Sequence, residues 1–318
     1  MTAFWRDGLT ADHEPHPVRM VRGTLTDSSR GNRSINIKMY YPDVASLTHI
    51  PLIVWSHGLG GSIDGASFIS RYMTSQGYSV LHVQHPGTDS SLWEGKPGHA
   101  WDIIRATPIP RSATIARFAD VPFVLDHLPD WMAQNHPHLA AQIDMSNMGM
   151  SGHSLGSLTT QVLMGQRFPD ENGFLENYAD ARFKCGILYS PIPEFRITGD
   201  LPYDIYGTIK RPLFHMTGTE DSSPVEGFEY QRRLEVYDNS PDEKYLLILN
   251  HGDHMIYNGS RGKLGQTPYR ELHEKLIKIS SLAYWDAKLK GDQKAQEWLT
   301  GGGFATYLNG DGEFRHEK

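Results

Sequence analysis

Met148-Gly149-Met150-Ser151-Gly152-His153-Ser154-Leu155-Gly156-Ser157 is the stretch on which the reading of this chain turns. It joins an apolar run, expected as a strand over Met145–Met150, to a helix expected over about 155–166. Between them stands Gly-x-Ser-x-Gly, with Ser154 at its centre. A hydroxyl displayed on a sharp strand-to-helix turn needs strained backbone angles, and small flanking residues let neighbouring chains come close. The amides of the first helical turn then point at any charge that develops beside the hydroxyl. Ser154 is therefore the candidate nucleophile; the competing reading is a plain Gly/Ser-rich turn.

A serine that attacks a carbonyl needs two amides to hold the resulting oxyanion. One is expected from Leu155. The second is expected from Leu59 in Ser56-His57-Gly58-Leu59-Gly60-Gly61, which follows the apolar run Leu52–Trp55. Neither glycine-rich site ends in Gly-Lys-Ser/Thr, so neither reads as a phosphate loop.

The hydroxyl also needs a His to take its proton and a carboxylate to orient that His. After the apolar run Leu213–Thr217 comes Gly218-Thr219-Glu220-Asp221, and after Tyr245–Leu249 comes Asn250-His251-Gly252-Asp253-His254. The order Ser, acid, His suits a nucleophile on a strand-to-helix turn. Asp221 is preferred to Glu220, and His254 to His251. Read instead as metal ligands, His251, Asp253 and His254 lack a helical i, i+4 register and an evident third distant ligand. No metal or cofactor is expected.

Outward from these motifs, short apolar runs alternate with stretches long enough for helices. Ile35–Tyr41, meeting Pro42, reads as an outer, partly exposed strand. Tyr78–Val83 and Phe183–Tyr189 complete the strand series, and helices are expected near 65–76, 112–128, 225–238 and 267–290. Alternation of this kind predicts an α/β chain with a mostly parallel sheet. No repeat or linker divides it, so one domain over 1–318 is expected. The stretches 86–111 and 168–182 exceed what a connection needs and read as walls of a pocket. Trp93 and Trp101 lie in the first, divided between packing and substrate contact. His85, at its start, is read first as a structural hydrogen-bonding residue and second as a pocket residue.

The 318 residues are 39% apolar and 21% charged, with a net charge of −7. That balance argues against nucleic acid or an anionic membrane surface as partner. No segment approaches the roughly 18 apolar residues of a membrane span, and no signal-like stretch opens the chain, so it reads as soluble with its compartment open. Cys185, the single cysteine, sits in an apolar run and is expected buried and inert.

With these motifs in place, the chain resembles the α/β-hydrolase superfamily over nearly its whole length. Within it, the likeness is closer to bacterial dienelactone-hydrolase-like proteins and to platelet-activating-factor acetylhydrolase. Ser56-His57-Gly58-Leu59-Gly60, His85-Pro86-Gly87, Arg117–Asp126 (Arg-Phe-Ala-Asp-Val-Pro-Phe-Val-Leu-Asp) and Ala283-Tyr284-Trp285-Asp286-Ala287 carry it. The resemblance implies hydrolysis of a small-molecule carboxylic ester through an acyl-enzyme, without cofactor or metal; short to medium acyl chains are expected because no separate helical lid domain is apparent. An amidase or peptidase with the same triad, and a non-catalytic binding protein on this fold, are the alternatives. The chain departs from dienelactone hydrolases, which place Cys where Ser154 stands. It departs from the acetylhydrolases of blood plasma, whose acid follows an earlier strand; here that strand ends Tyr189-Ser190-Pro191 with no carboxylate before Glu194. The carboxyl-terminal disulfide of cutinase-like relatives is impossible with one cysteine.

Overall fold

The computed structural model describes residues 4–193, 200–241, 243–259 and 267–318; Glu194 lies outside them. The strands are β1 (Val18–Asp27), β2 (Arg33–Pro42), β3 (Ile50–Ser56), β4 (Ser79–Val83), β5 (Ile143–His153), β6 (Arg167–Pro169), β7 (Leu175–Asn177), β8 (Phe183–Tyr189), β9 (Leu213–Glu220), β10 (Lys244–Asp253) and β11 (Gly312–Glu317). The helices are α1 (Ser67–Ser75), α2 (Ala100–Ala106), α3 (Arg111–Asn135), α4 (Pro137–Gln142), α5 (Leu155–Leu163), α6 (Pro202–Tyr206), α7 (Gln231–Asn239), α8 (Arg270–Leu289), α9 (Gln293–Thr300) and α10 (Gly303–Leu308).

Nine strands form one sheet in the order β1-β2-β4-β3-β5-β8-β9-β10-β11. From β4 to β10 neighbours run parallel, and antiparallel β1, β2 and β11 extend the two edges. The parallel strands are covered on both faces, which is why Leu52–Trp55 and Cys185–Tyr189 read as continuous apolar runs. Helices α1, α8, α9 and α10 pack on one face, where Tyr72, Ile277, Tyr284 and Trp285 are buried. Helices α3, α4 and α6 cover the other with Val121, Leu128, Leu139 and Tyr206.

Three expectations change. Ile35–Tyr41 is not an outer strand: β1 pairs along all of β2, and Ile35, Ile37 and Met39 are fully buried. β1 escaped notice because its exposed face carries Arg and Thr. Pro42 is tolerated because it ends the strand, where a missing N–H costs little. Helix α3 runs through Pro122 and Pro129 to Asn135, since its buried stripe of Phe118, Val121, Val124, Leu128 and Met132 continues past both. The helix expected over 225–238 begins only at Gln231. Gly227 takes a positive φ of 72°, and the Ser223 amide bonds back to Phe228 O at 2.8 Å, closing a loop instead.

The stretch 86–111 contains α2 rather than open coil, and it does wall the cavity described below. The stretch 168–182 folds mostly as the small β6–β7 hairpin; its Phe168 packs on Phe118, ring centroids 5.1 Å apart, and lines the groove that adjoins that cavity, not the cavity itself. Cys185 is buried, and burial pushes its thiol pKa up. Among the described residues no helix is long and apolar enough to cross a membrane.

Candidate active site

Ser154 sits between β5 and α5 with φ 55° and ψ −119°, a conformation that ordinary residues rarely hold. The turn exists because of its glycines. A Cβ on Gly156 would lie 1.9 Å from Ser56 O, and one on Gly152 2.2 Å from Gly156 O. Main chain of β3 and of the elbow therefore occupies the space that any larger residue would need. The Ser154 amide is spent on Tyr189 O at 2.9 Å, anchoring the elbow to β8.

The loop after β3 comes to the same place. A Cβ on Gly58 would touch Ser154 Cβ at 3.4 Å. Among the described residues neither the Leu59 nor the Leu155 amide has a hydrogen-bond acceptor; the latter opens α5, where the first turn has no intrahelical partner. The loop is held from below by Arg117, a fully buried residue of α3. Its guanidinium donates to His57 O, to Ser56 Oγ (2.9 Å), to Thr88 Oγ1 (2.7 Å) and to Thr159 Oγ1 on α5 (3.1 Å). Burial lowers its pKa to about 9, with Asp120 and Asp89 opposing. His85 is structural: Nε2 meets Ser56 Oγ at 2.9 Å and Nδ1 meets Asp120 Oδ2 at 3.1 Å. Asp120 also pairs with Arg30 and Arg33; burial alone would raise its pKa, but His85 and Arg33 bring it down to about 2. The His85 and Arg117–Asp126 motifs thus brace the loop that carries Leu59, and the Ala283–Ala287 motif packs: Trp285 fills the space over Gly149.

Asp221 and His254 meet as expected. His254 Nδ1 lies 2.7 Å from Asp221 Oδ1, with both residues buried, and Thr217 Oγ1 donates to Asp221 Oδ2 at 2.9 Å. Burial pushes the Asp221 carboxyl up, but Arg233 and His254 beside it outweigh that and hold it below its ordinary value. An ionised Asp221 requires the proton on His254 Nδ1, leaving Nε2 as the free acceptor. The rival pair forms its own contact outside: His251 Nδ1 meets Glu220 Oε1 at 2.9 Å, half exposed, and the ring stacks on Tyr269 at 4.5 Å.

Ser154, His254 and Leu59 line one cavity of about 200 Å³, walled by Trp93, Trp101, Ile104, Val225 and Met255. A groove of about 470 Å³ adjoins it, sharing Leu59, Ile104 and Val225 and floored by Leu155 and Leu158. Both tryptophans therefore face the cavity.

Two residues were missed in the sequence. His153, the variable residue before Ser154, donates through Nε2 to His254 O at 2.7 Å; burial lowers its pKa to about 3, so it is neutral. Arg233, on α7, touches both Asp221 and His254. A polar helix full of charged residues offers no signal that singles Arg233 out. No known family model matches this chain, and no curated protein matches it.

Proposed function

We propose that the chain is a serine carboxylic ester hydrolase of the α/β-hydrolase fold, acting as one domain on a small-molecule ester through an acyl-enzyme. The observation that carries this is the buried His254–Asp221 contact of 2.7 Å, sharing a cavity with a serine held at φ 55°. Nucleophile, base, orienting carboxylate and two unengaged amides then occur together, which a Gly/Ser-rich turn does not require.

The chemistry follows from those groups. As Ser154 Oγ bonds to the ester carbonyl carbon, its proton passes to His254 Nε2, and Asp221 stabilises the imidazolium. The carbonyl oxygen becomes an oxyanion held by the Leu59 and Leu155 amides. Collapse breaks the bond to the alcohol, which leaves with the proton from His254. Water repeats the sequence, freeing the acid and restoring Ser154. No step calls on a metal or cofactor. The compact, aromatic-walled cavity favours short to medium substituents over long ones.

The test is labelling with a fluorophosphonate probe, together with turnover of p-nitrophenyl esters and matched anilides. Labelling of the wild type at Ser154, lost in Ser154→Ala, with esters turned over faster than anilides, is the expected result. Wild-type-like ester turnover by Ser154→Ala would overturn it, and faster anilide turnover would favour the amidase reading.

A further inference from the structure

Arg233 is about 1% exposed, and its guanidinium joins the ends of three successive parallel strands. Nη1 donates to Ser190 O (3.3 Å) and Pro191 O (3.0 Å) after β8, and Nε to Asp221 O (2.9 Å) after β9. Nε also lies 3.0 Å from Asp221 Oδ1, and Nη2 lies 3.1 Å from His254 Nδ1 after β10. Beneath it, the Phe228 ring lies 4.9 Å away. Asp221 Oδ1 is thus shared between two cationic partners, one permanent and one that appears only when His254 is protonated.

His254 Nδ1 has one in-plane position. It either carries the proton that Asp221 accepts or offers a lone pair to Arg233, not both. With Asp221 ionised the proton wins, and Arg233 is left facing an N–H. When the ring is neutral this contact costs little. When the ring becomes imidazolium, two positive groups stand about 3 Å apart against one carboxylate.

From this geometry we infer that Arg233 is a positioning residue of the triad: it locks the Asp221 and His254 loops in register and sets a permanent cation against the charge that forms on His254. The inference rests on the serine-hydrolase reading above. Among the described residues, His153, neutral as noted, lies against the His254 ring, Asp253, whose pKa burial raises, precedes it, and beyond His153 lies Tyr257 (6.2 Å between ring centroids), whose burial keeps its phenol protonated. None of them supplies a second permanent cation.

The experiment compares kcat/KM against pH for wild type, Arg233→Gln and Arg233→Lys, each normalised to sites counted by fluorophosphonate labelling. Removing the charge in Arg233→Gln is expected to move the acid limb up by about one pH unit, with KM within about twofold. Arg233→Lys, which keeps a cation, is expected to move it by less than half as much. Should Arg233→Gln not fold, Arg233→Met, whose chain can lie on Phe228, carries the same comparison. An unmoved acid limb in labelled, charge-free protein overturns the inference, as does an equal shift in the Lys variant, which would make the role one of shape alone. Absence of labelling in wild type would instead sink the hydrolase reading, so the two failures are distinct.

Discussion

The ring of His153 donates a 2.7 Å hydrogen bond to the backbone carbonyl of His254, and the two rings lie 4.6 Å apart. The residue next to Ser154 thereby fixes the loop that carries His254, so the Ser154–His254 relationship does not depend on loop stiffness alone. Replacing His153 by Phe keeps the ring and loses the donor. The expected result is a fall of roughly tenfold in kcat, with KM little changed, because a small displacement of the base weakens proton transfer more than binding. Steady-state rates per labelled site check this; a KM effect alone would mean that His153 only contacts substrate.

The choice of Asp221 over Glu220 and of His254 over His251 is separable by substitution. Asp221→Asn should leave the fold intact yet reduce kcat by about 10⁴, since the amide favours the wrong His tautomer. Glu220→Gln and His251→Gln, acting on an exposed pair, should change kcat less than about twofold. Equal losses at the two acids would remove the distinction.

Gly156→Ala and Gly87→Ala give a structural contrast. The added Cβ at 156 meets Ser56 O at 1.9 Å, so β3 or the elbow must shift, and about 3 kcal/mol of stability is expected to be lost. At Gly87, with φ 90° but open space, only backbone strain applies, and about 1 kcal/mol is expected. Chemical denaturation of the two variants measures the difference.

Ile104 belongs to the wall shared by the cavity and the neighbouring groove. Ile104→Ala should open one into the other and move the preferred p-nitrophenyl ester towards longer acyl chains. A chain-length series with an unchanged optimum would show that the groove takes no part.

Acid should destabilise the fold early. Burial lowers the pKa of His82, His153 and His215 to about 3 and that of His85 to about 4, against an ordinary value of 6.5. The unfolded chain therefore binds more protons than the folded one below pH 6.5. The stability due to these neutral rings is complete above 6.5 and declines as pH falls towards 4 and 3. At pH 5 each ring accounts for about 2 kcal/mol of that loss. Urea midpoints at pH 7.5 and pH 5 test it, and equal midpoints would refute it.

Much of the α/β layout was legible because buried parallel strands are short apolar runs punctuated by Gly and Pro. What stayed hidden was amphipathic or polar: β1, with Arg and Thr on its exposed face, and β11, Gly-Glu-Phe-Arg-His-Glu, a mostly exposed edge strand that exists by pairing with β10. The pocket wall at 86–111 was visible as excess length. The stretch 168–182 spends most of its length on a hairpin, and only Phe168 of it reaches the groove beside the cavity.

By itself the sequence determined the elbow at Ser154, because only glycine fits where Ser56, Gly152 and Gly156 cross, and it determined the order of strands that present an acid and a His after it. Tertiary structure supplied the separation behind the preference for Asp221 and His254: it turns those two inward and leaves Glu220 and His251 exposed, a difference in burial that neighbouring positions in the sequence do not record. It also decided that Arg117, His153 and Arg233 matter. Their partners lie on other elements, brought within hydrogen-bond distance only when the sheet is assembled, and no local pattern records a contact made across the fold.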